Sequence, residues 1–154
     1  MSAGPLADSS CTWLDGDLSN KQGVSKMKLN HDCIRALLIY LEENLEVKAN
    51  GLPEGLKLGH IDEDDISGFS QEDIFYSARK LVEAKYIEVA NKEVAPRAMI
   101  IKEITWNGHD YLDSIRDPKV WHEIKSRTKD LSGIALEVVK SLAIEITKQM
   151  LGLG

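Results

Sequence analysis

The chain has 154 residues, a net charge of -6 from 19 basic and 25 acidic side chains, and a hydrophobic share of 43% with few aromatics. That length fits one ordinary domain with appendages, and it is enough to bury a core without disulfide or metal staples. Two cysteines make no disulfide framework and no apolar run is long enough to span a membrane, so a reducing, cytoplasmic compartment and no membrane association are expected.

Residues 1–26 are rich in Ser, Gly, Asp and Ala and lack periodicity, which predicts a disordered tail. Its first twenty residues carry no Lys or Arg and no apolar core, unlike a secretory signal. Cys11 sits in this polar stretch, and Trp13-Leu14 is its one candidate docking motif. The globular pattern starts at Met27. A native extension and a segment added ahead of the native start both remain open for the tail.

A first helix follows Asn30, a natural N-cap, with Asp32 favouring its positive end. Ile34, Leu37, Leu38, Leu41 and Leu45 recur at helical spacing, and Cys33 reads as a small core residue beside them. The breaker cluster Ala49 to Gly55 ends the helix. Leu56 to Ile61 alternates like a short strand, and Asp62 to Gly68 is acidic and irregular. Ser70 and Asp73 resemble a capping box opening a second helix that runs to Tyr86. Ile74, Ala78, Leu81 and Val82 form its buried stripe, leaving Gln71, Glu72, Tyr76, Arg79, Lys80 and Glu83 outside.

Two β-rich runs, Ile87 to Ala90 and Met99 to Ile104, predict a hairpin whose loop, Asn91 to Arg97, is a wing. The turn Thr105-Trp106-Asn107-Gly108-His109 then restarts a helix from Asn107 to Ile115. Asp117-Pro118 suits the start of another, carrying Val120, Trp121 and Ile124 with Lys119, Lys125, Arg127 and Lys129. The last helix, Ser132 to Leu151, is the most apolar, with Leu136, Val139, Ala143, Ile146 and Met150 on one stripe, widened by Val138 and Leu142. Five such side chains left in water would forgo on the order of 10 kcal/mol, comparable to a domain's net stability, so this helix must be covered. The order predicts an α+β, mainly α fold. A winged helix-turn-helix-like domain with a β-hairpin wing occupies 27–130, and 131–154 forms an amphipathic helix for packing or oligomerisation.

The charge is uneven. Glu42 to Asp73 holds ten acidic residues against two lysines, a balance of -8, while Arg116 to Lys129 has a balance of +3. His31, His60, His109 and His122 show no metal-ligand spacing. The acidic run at Asp62 lacks the oxygen ligand, glycine and closing Glu of a calcium loop, because Ile66, Ser67 and Asp73 stand there. Without a phosphate-cradling loop or nucleophile elbow either, no catalytic residue, cofactor, metal or small-molecule substrate is expected. His109, Trp106 and Trp121 read first as architectural: a turn residue packing on the wing, and core or interface anchors.

Residues 27 to about 130 resemble domain-of-unknown-function family 2513, small proteins of bacteria and their phages. The resemblance rests on Met27 to Arg35, Gly68-Phe69-Ser70, Leu81 to Ala84, and above all Ile104 to Arg116 with Trp121. It implies a winged-helix-like fold and carriage on mobile elements, and no activity.

Two functions compete. A DNA-binding regulator of a mobile element or phage would set Arg79, Lys80, Lys92, Arg97, Lys119, Lys125, Arg127 and Lys129 against phosphates. The fold leans this way, although Glu72 and Asp73 at the front of the second helix would repel them. The alternative is a protein-interaction module with no nucleic-acid binding. It would be a homodimer through Leu136, Val139, Leu142, Ile146 and Met150, or a binder of a host factor.

Overall fold

The computed structural model describes residues 28–91, 95–129, 131 and 133–153. Residues 1–27, with Cys11 and the Trp13-Leu14 motif, and Lys92 and Glu93 of the expected wing lie outside the described residues. The rest is mainly helical α+β: five α-helices and a small three-stranded antiparallel sheet.

Helix α1 spans His31–Asn44, and the Asn30 side chain caps it by accepting from Cys33 N–H. Its stripe is buried through Ile34, Leu37, Leu38 and Leu41. Each such side chain contributes roughly 1.5–3 kcal/mol. Strand β1 is only Leu56–Lys57 and runs into a 3-10 turn, Leu58–His60. The acidic stretch after it folds on itself, with the Asp62 carboxylate accepting from the backbone N–H of Asp64 and Asp65. A helix-turn-helix needs a helix at this point. The chain supplies only turns, because an Asx-turn at Asp62 and Gly68 at a φ of 98° prevent one from propagating.

Helix α2, Gln71–Glu83, is capped by the Ser70 hydroxyl, which accepts from Asp73 N–H. Ile74, Ala78 and Leu81 are buried as the spacing predicts, and Ser77 is buried with them. The helix ends in a Schellman arrangement: Lys85 N–H donates to the Val82 carbonyl and Tyr86 N–H to that of Leu81. Lys85 holds the left-handed position, φ 64°, that glycine usually takes.

Strands β2, Ile87–Val89, and β3, Ile100–Ile104, form the hairpin, and β3 is central in the order β1-β3-β2. Glu88 pairs with Glu103 and Val89 with Ile101, so Lys102 has no partner on β2. This bulge lets Ile101 and Ile104 both face the core although they are three residues apart.

Helix α3, Trp106–Ile115, begins at the Thr-x-x-Gly turn. The Thr105 hydroxyl accepts from Gly108 N–H at 3.1 Å and donates to the Lys85 carbonyl at 2.6 Å, tying the new helix to the end of α2. Gly108 is required by close approach: a Cβ there would sit 2.0 Å from the Tyr86 carbonyl oxygen. The motif is therefore a joint between α2, the hairpin and α3. Helix α4, Pro118–Thr128, starts on Asp117, and helix α5, Leu136–Met150, returns across α3 and α4. Val139, Ala143 and Ile146 of α5 belong to the same core as α1, so that face of the last helix is covered within the chain.

Candidate interaction surfaces

The cations expected to meet phosphate lie on elements that face different neighbours. On α2, Arg79 is exposed, but Lys80 is held by Glu83 at 3.0 Å and lies 5.4 Å from the Tyr76 ring centre. Gln71, at the front of α2, donates its amide to the Ile61 carbonyl at 2.7 Å. Arg97, at the base of the hairpin loop, stacks over Phe75 of α2 at 5.6 Å. The structure thus brings Arg79 and Arg97 to one helix and its flank. Lys92 lies outside the described residues.

Half of the basic run of α4 is spent on ion pairs within the chain. Lys125 reaches both oxygens of Asp32 at 3.1 Å, and Trp121 donates its indole N–H to the same carboxylate at 2.8 Å. Arg127 pairs with Glu123 and Glu145 and donates to Gln149. Lys119 and Lys129 remain exposed. Arg35 is the residue that sequence reading missed. Its guanidinium donates to the carbonyls of Ile115 at 2.9 Å and Arg116 at 2.6 Å, and stacks on Trp121 at 5.5 Å. It satisfies the orphan carbonyls at the end of α3. No local spacing signals a bond between residues 80 apart.

Of the candidate dimer residues, Val139 and Ile146 are buried inside the chain, and Leu136 and Leu142 are half-buried against the core. That part of the stripe is turned inward. Met150 is exposed, and Val138, Ile144, Leu151 and Leu153 are exposed around it. Trp121 is a buried anchor; Trp106 is not a core residue, being 85% exposed at the first position of α3.

A concavity lies elsewhere, at the C-terminal end of α1. After α1 the chain makes a small hairpin-like turn, with Val47 bridged to Pro53 and Glu54 N–H donating to the Glu46 carbonyl at 2.7 Å. Gly51 takes the φ of 85° that this reversal needs. Between the turn, α1 and β3 lies a cleft of about 270 Å³. Its apolar lining is Leu41, Leu45, Val47, Pro53 and Ile104; its polar lining is Glu42, Glu46, Lys102, Glu103 and His109. Lys102 and Glu103 both reach it because of the bulge in β3. His109 is exposed at its edge, and the backbone N–H of His109 donates to the Thr105 carbonyl.

The buried titratable groups are structural. Burial pushes the Cys33 thiol up to about 11, against a hydrogen bond with Ser77 that pulls it down, so it stays a neutral core group. Burial raises the Tyr111 phenol further; its ring stacks on Tyr86 at 5.1 Å. Burial lowers the His31 imidazole below its ordinary 6.5, while a hydrogen bond to the Ile134 backbone and the charge of Asp32 raise it. Among the described residues no group of His, Cys, Asp and Glu is arranged to hold a metal ion, and no helix is long and apolar enough to cross a membrane.

Comparison with known proteins matches residues 28–135 to the family model described as "Hypothetical protein (DUF2513)". An uncharacterized protein of Haemophilus influenzae (strain ATCC 51907 / DSM 11121 / KW20 / Rd) is 33% identical over 127 residues, covering 81% of this chain and 99% of the relative. No solved structure matches. The Ile104–Arg116 block that carries the resemblance lies inside the matched span, where it builds the joint between α2, the hairpin and α3. The chain belongs to domain-of-unknown-function family 2513.

Proposed function

We propose that this protein is a non-enzymatic interaction module, a winged-helix-like scaffold whose partner is another protein. The winged-helix part of the reading is supported by the order helix, short strand, helix, hairpin and by the sheet order β1-β3-β2. The choice of partner rests on one observation: three of the seven described cations meant for phosphate are already held by carboxylates of this chain. Lys80, Lys125 and Arg127 each hold a carboxylate of this chain, and the first turn of α2 is acidic. Phosphate binding draws its strength from free cations that displace counterions, and ion pairs already formed must be broken first.

A DNA-binding regulator of a mobile element is the second reading. Exposed Arg79 on α2 and exposed Arg97, stacked over Phe75 of the same helix, favour it. Mobility-shift assays across a salt series separate the two. The protein-interaction reading expects no retarded DNA or RNA even at low salt. A shift that weakens steeply with salt and disappears in the Arg79→Ala/Arg97→Ala variant would overturn it.

A further inference from the structure

We infer that the cleft at the C-terminal end of α1 docks a basic segment of a partner protein, one that inserts a single aliphatic or aromatic side chain flanked by Lys or Arg. This deepens the protein-interaction reading and rests on it. The size of the cleft comes first. At about 270 Å³ it stands at the low end of small-molecule sites and has room for one anchoring side chain. Its floor is apolar: Leu41 is fully buried and Ile104 nearly so, while Val47 above them is 70% exposed. An inserted apolar group would cover this surface.

Charge selects the flanks of that segment. Glu42 is neutralised by Arg116, and Lys102 leans to Glu88 at 3.8 Å. Among the described residues no cation lies within ion-pair distance of Glu46 or Glu103. Glu103 stands directly opposite Glu88 across the hairpin, a like-charge pair that Lys102 offsets only from the Glu88 side. A partner approaching this rim removes water from the carboxylates, and only positive groups of its own offset that cost. The same field repels nucleic acid, and the cleft lies on α1 and β3 rather than on the face of Arg79.

The test is a selection of random displayed peptides on the full-length chain, followed by affinity measurements. Selected peptides should carry an aliphatic or aromatic residue between basic ones, and their binding should weaken with salt. The Glu46→Lys/Glu103→Lys variant, whose circular dichroism should match the parent's and whose melting temperature should not fall, should lose affinity by at least about tenfold. Acidic or uncharged selected peptides, no enriched peptide at all, or equal affinity for the variant overturns the assignment. So does a concentration-dependent dimer in sedimentation that the variant abolishes, which would make a second copy the occupant. Crosslinking of the full-length chain to native proteins keeps the two levels apart. Partners recovered equally by parent and variant leave the interaction reading standing and remove this site; no partner from either removes both.

Discussion

The two ends of α1 are surrounded by charge in opposite ways. At the N-terminal end, Asp32 is closed on by Trp121 and Lys125, and Arg35 is spent on the carbonyls that end α3. At the C-terminal end, Glu46 and Glu103 rim a cleft, and Glu103 faces Glu88. Charges satisfied inside a fold fix its architecture and have little left for a partner. Charges left uncompensated around an apolar recess hold free energy that a partner can release. In the sequence the basic run of α4 and the acidic stretch that begins at the end of α1 both read as patches of exposed charge. The ion pairs make them unequal.

The sharpest way to break this comparison is to loosen the frame that holds the two ends apart. Gly108→Ala places a methyl against the Tyr86 carbonyl and the Ile104 side chain. Overpacking of this kind costs about 1–3 kcal/mol, and the backbone oxygen as neighbour puts it at the upper end or beyond. Urea unfolding should show a midpoint lowered accordingly; an unchanged midpoint would mean that the joint is not tight.

Asp32→Ala comes next. It leaves the indole N–H of Trp121 and the Lys125 ammonium without their carboxylate. Hydrogen bonds to charged groups are worth about 1.5–3 kcal/mol, and the partial exposure of Asp32 lowers the expected loss to about 1–2 kcal/mol. If the loss is no larger than for a surface alanine substitution, the N-terminal end is not closed in the sense argued here.

His31 adds a pH dependence at the same end. Its folded-state imidazole titrates below the ordinary 6.5, so the unfolded chain takes up the proton first as the pH falls. Stability from this group is complete above 6.5 and is lost as the pH drops from there toward the folded value. The melting temperature should therefore fall between about pH 7.5 and about pH 5.5. That fall should be smaller in His31→Gln, because the carboxylates common to both proteins cancel in the difference.

The smallest effect sharpens the other end. Glu103→Lys turns the pair with Glu88 from repulsive to attractive and should raise stability by about 0.5 kcal/mol. The cleft rim thus gains stability from a change expected to weaken partner binding, whereas the closed N-terminal end loses it on any change.

Helix positions were readable because apolar spacing and caps are local. Asn30, Ser70, Thr105 and Asp117 each accept the backbone N–H expected of an N-cap. The Thr-x-x-Gly turn was visible as a helix start, but its reason was not: that Gly108 touches Tyr86 depends on how α3 lies on the end of α2. The strand expected over Leu56 to Ile61 is only Leu56–Lys57, and the last helix begins at Leu136 rather than four residues earlier. Between α4 and α5 the backbone instead takes left-handed turns at Lys129 and Leu131. The cleft gave no local signal. Its walls come from residues 41 to 53 and 102 to 109, and its rim depends on a bulge that no residue type marks.

The sequence by itself determined where the first four helices begin, which stripes are apolar, the family, and how charge is distributed along the chain. These follow from 3.6-residue periodicity, capping chemistry and composition, which act over a few residues at a time. Only the tertiary structure decided which charges are free. Asp32 and Lys125 are 93 residues apart, Glu42 and Arg116 are 74 apart, and Glu46 and Glu103 find no partner among the described residues. An ion's capacity to bind something else is set by what the fold has already placed beside it.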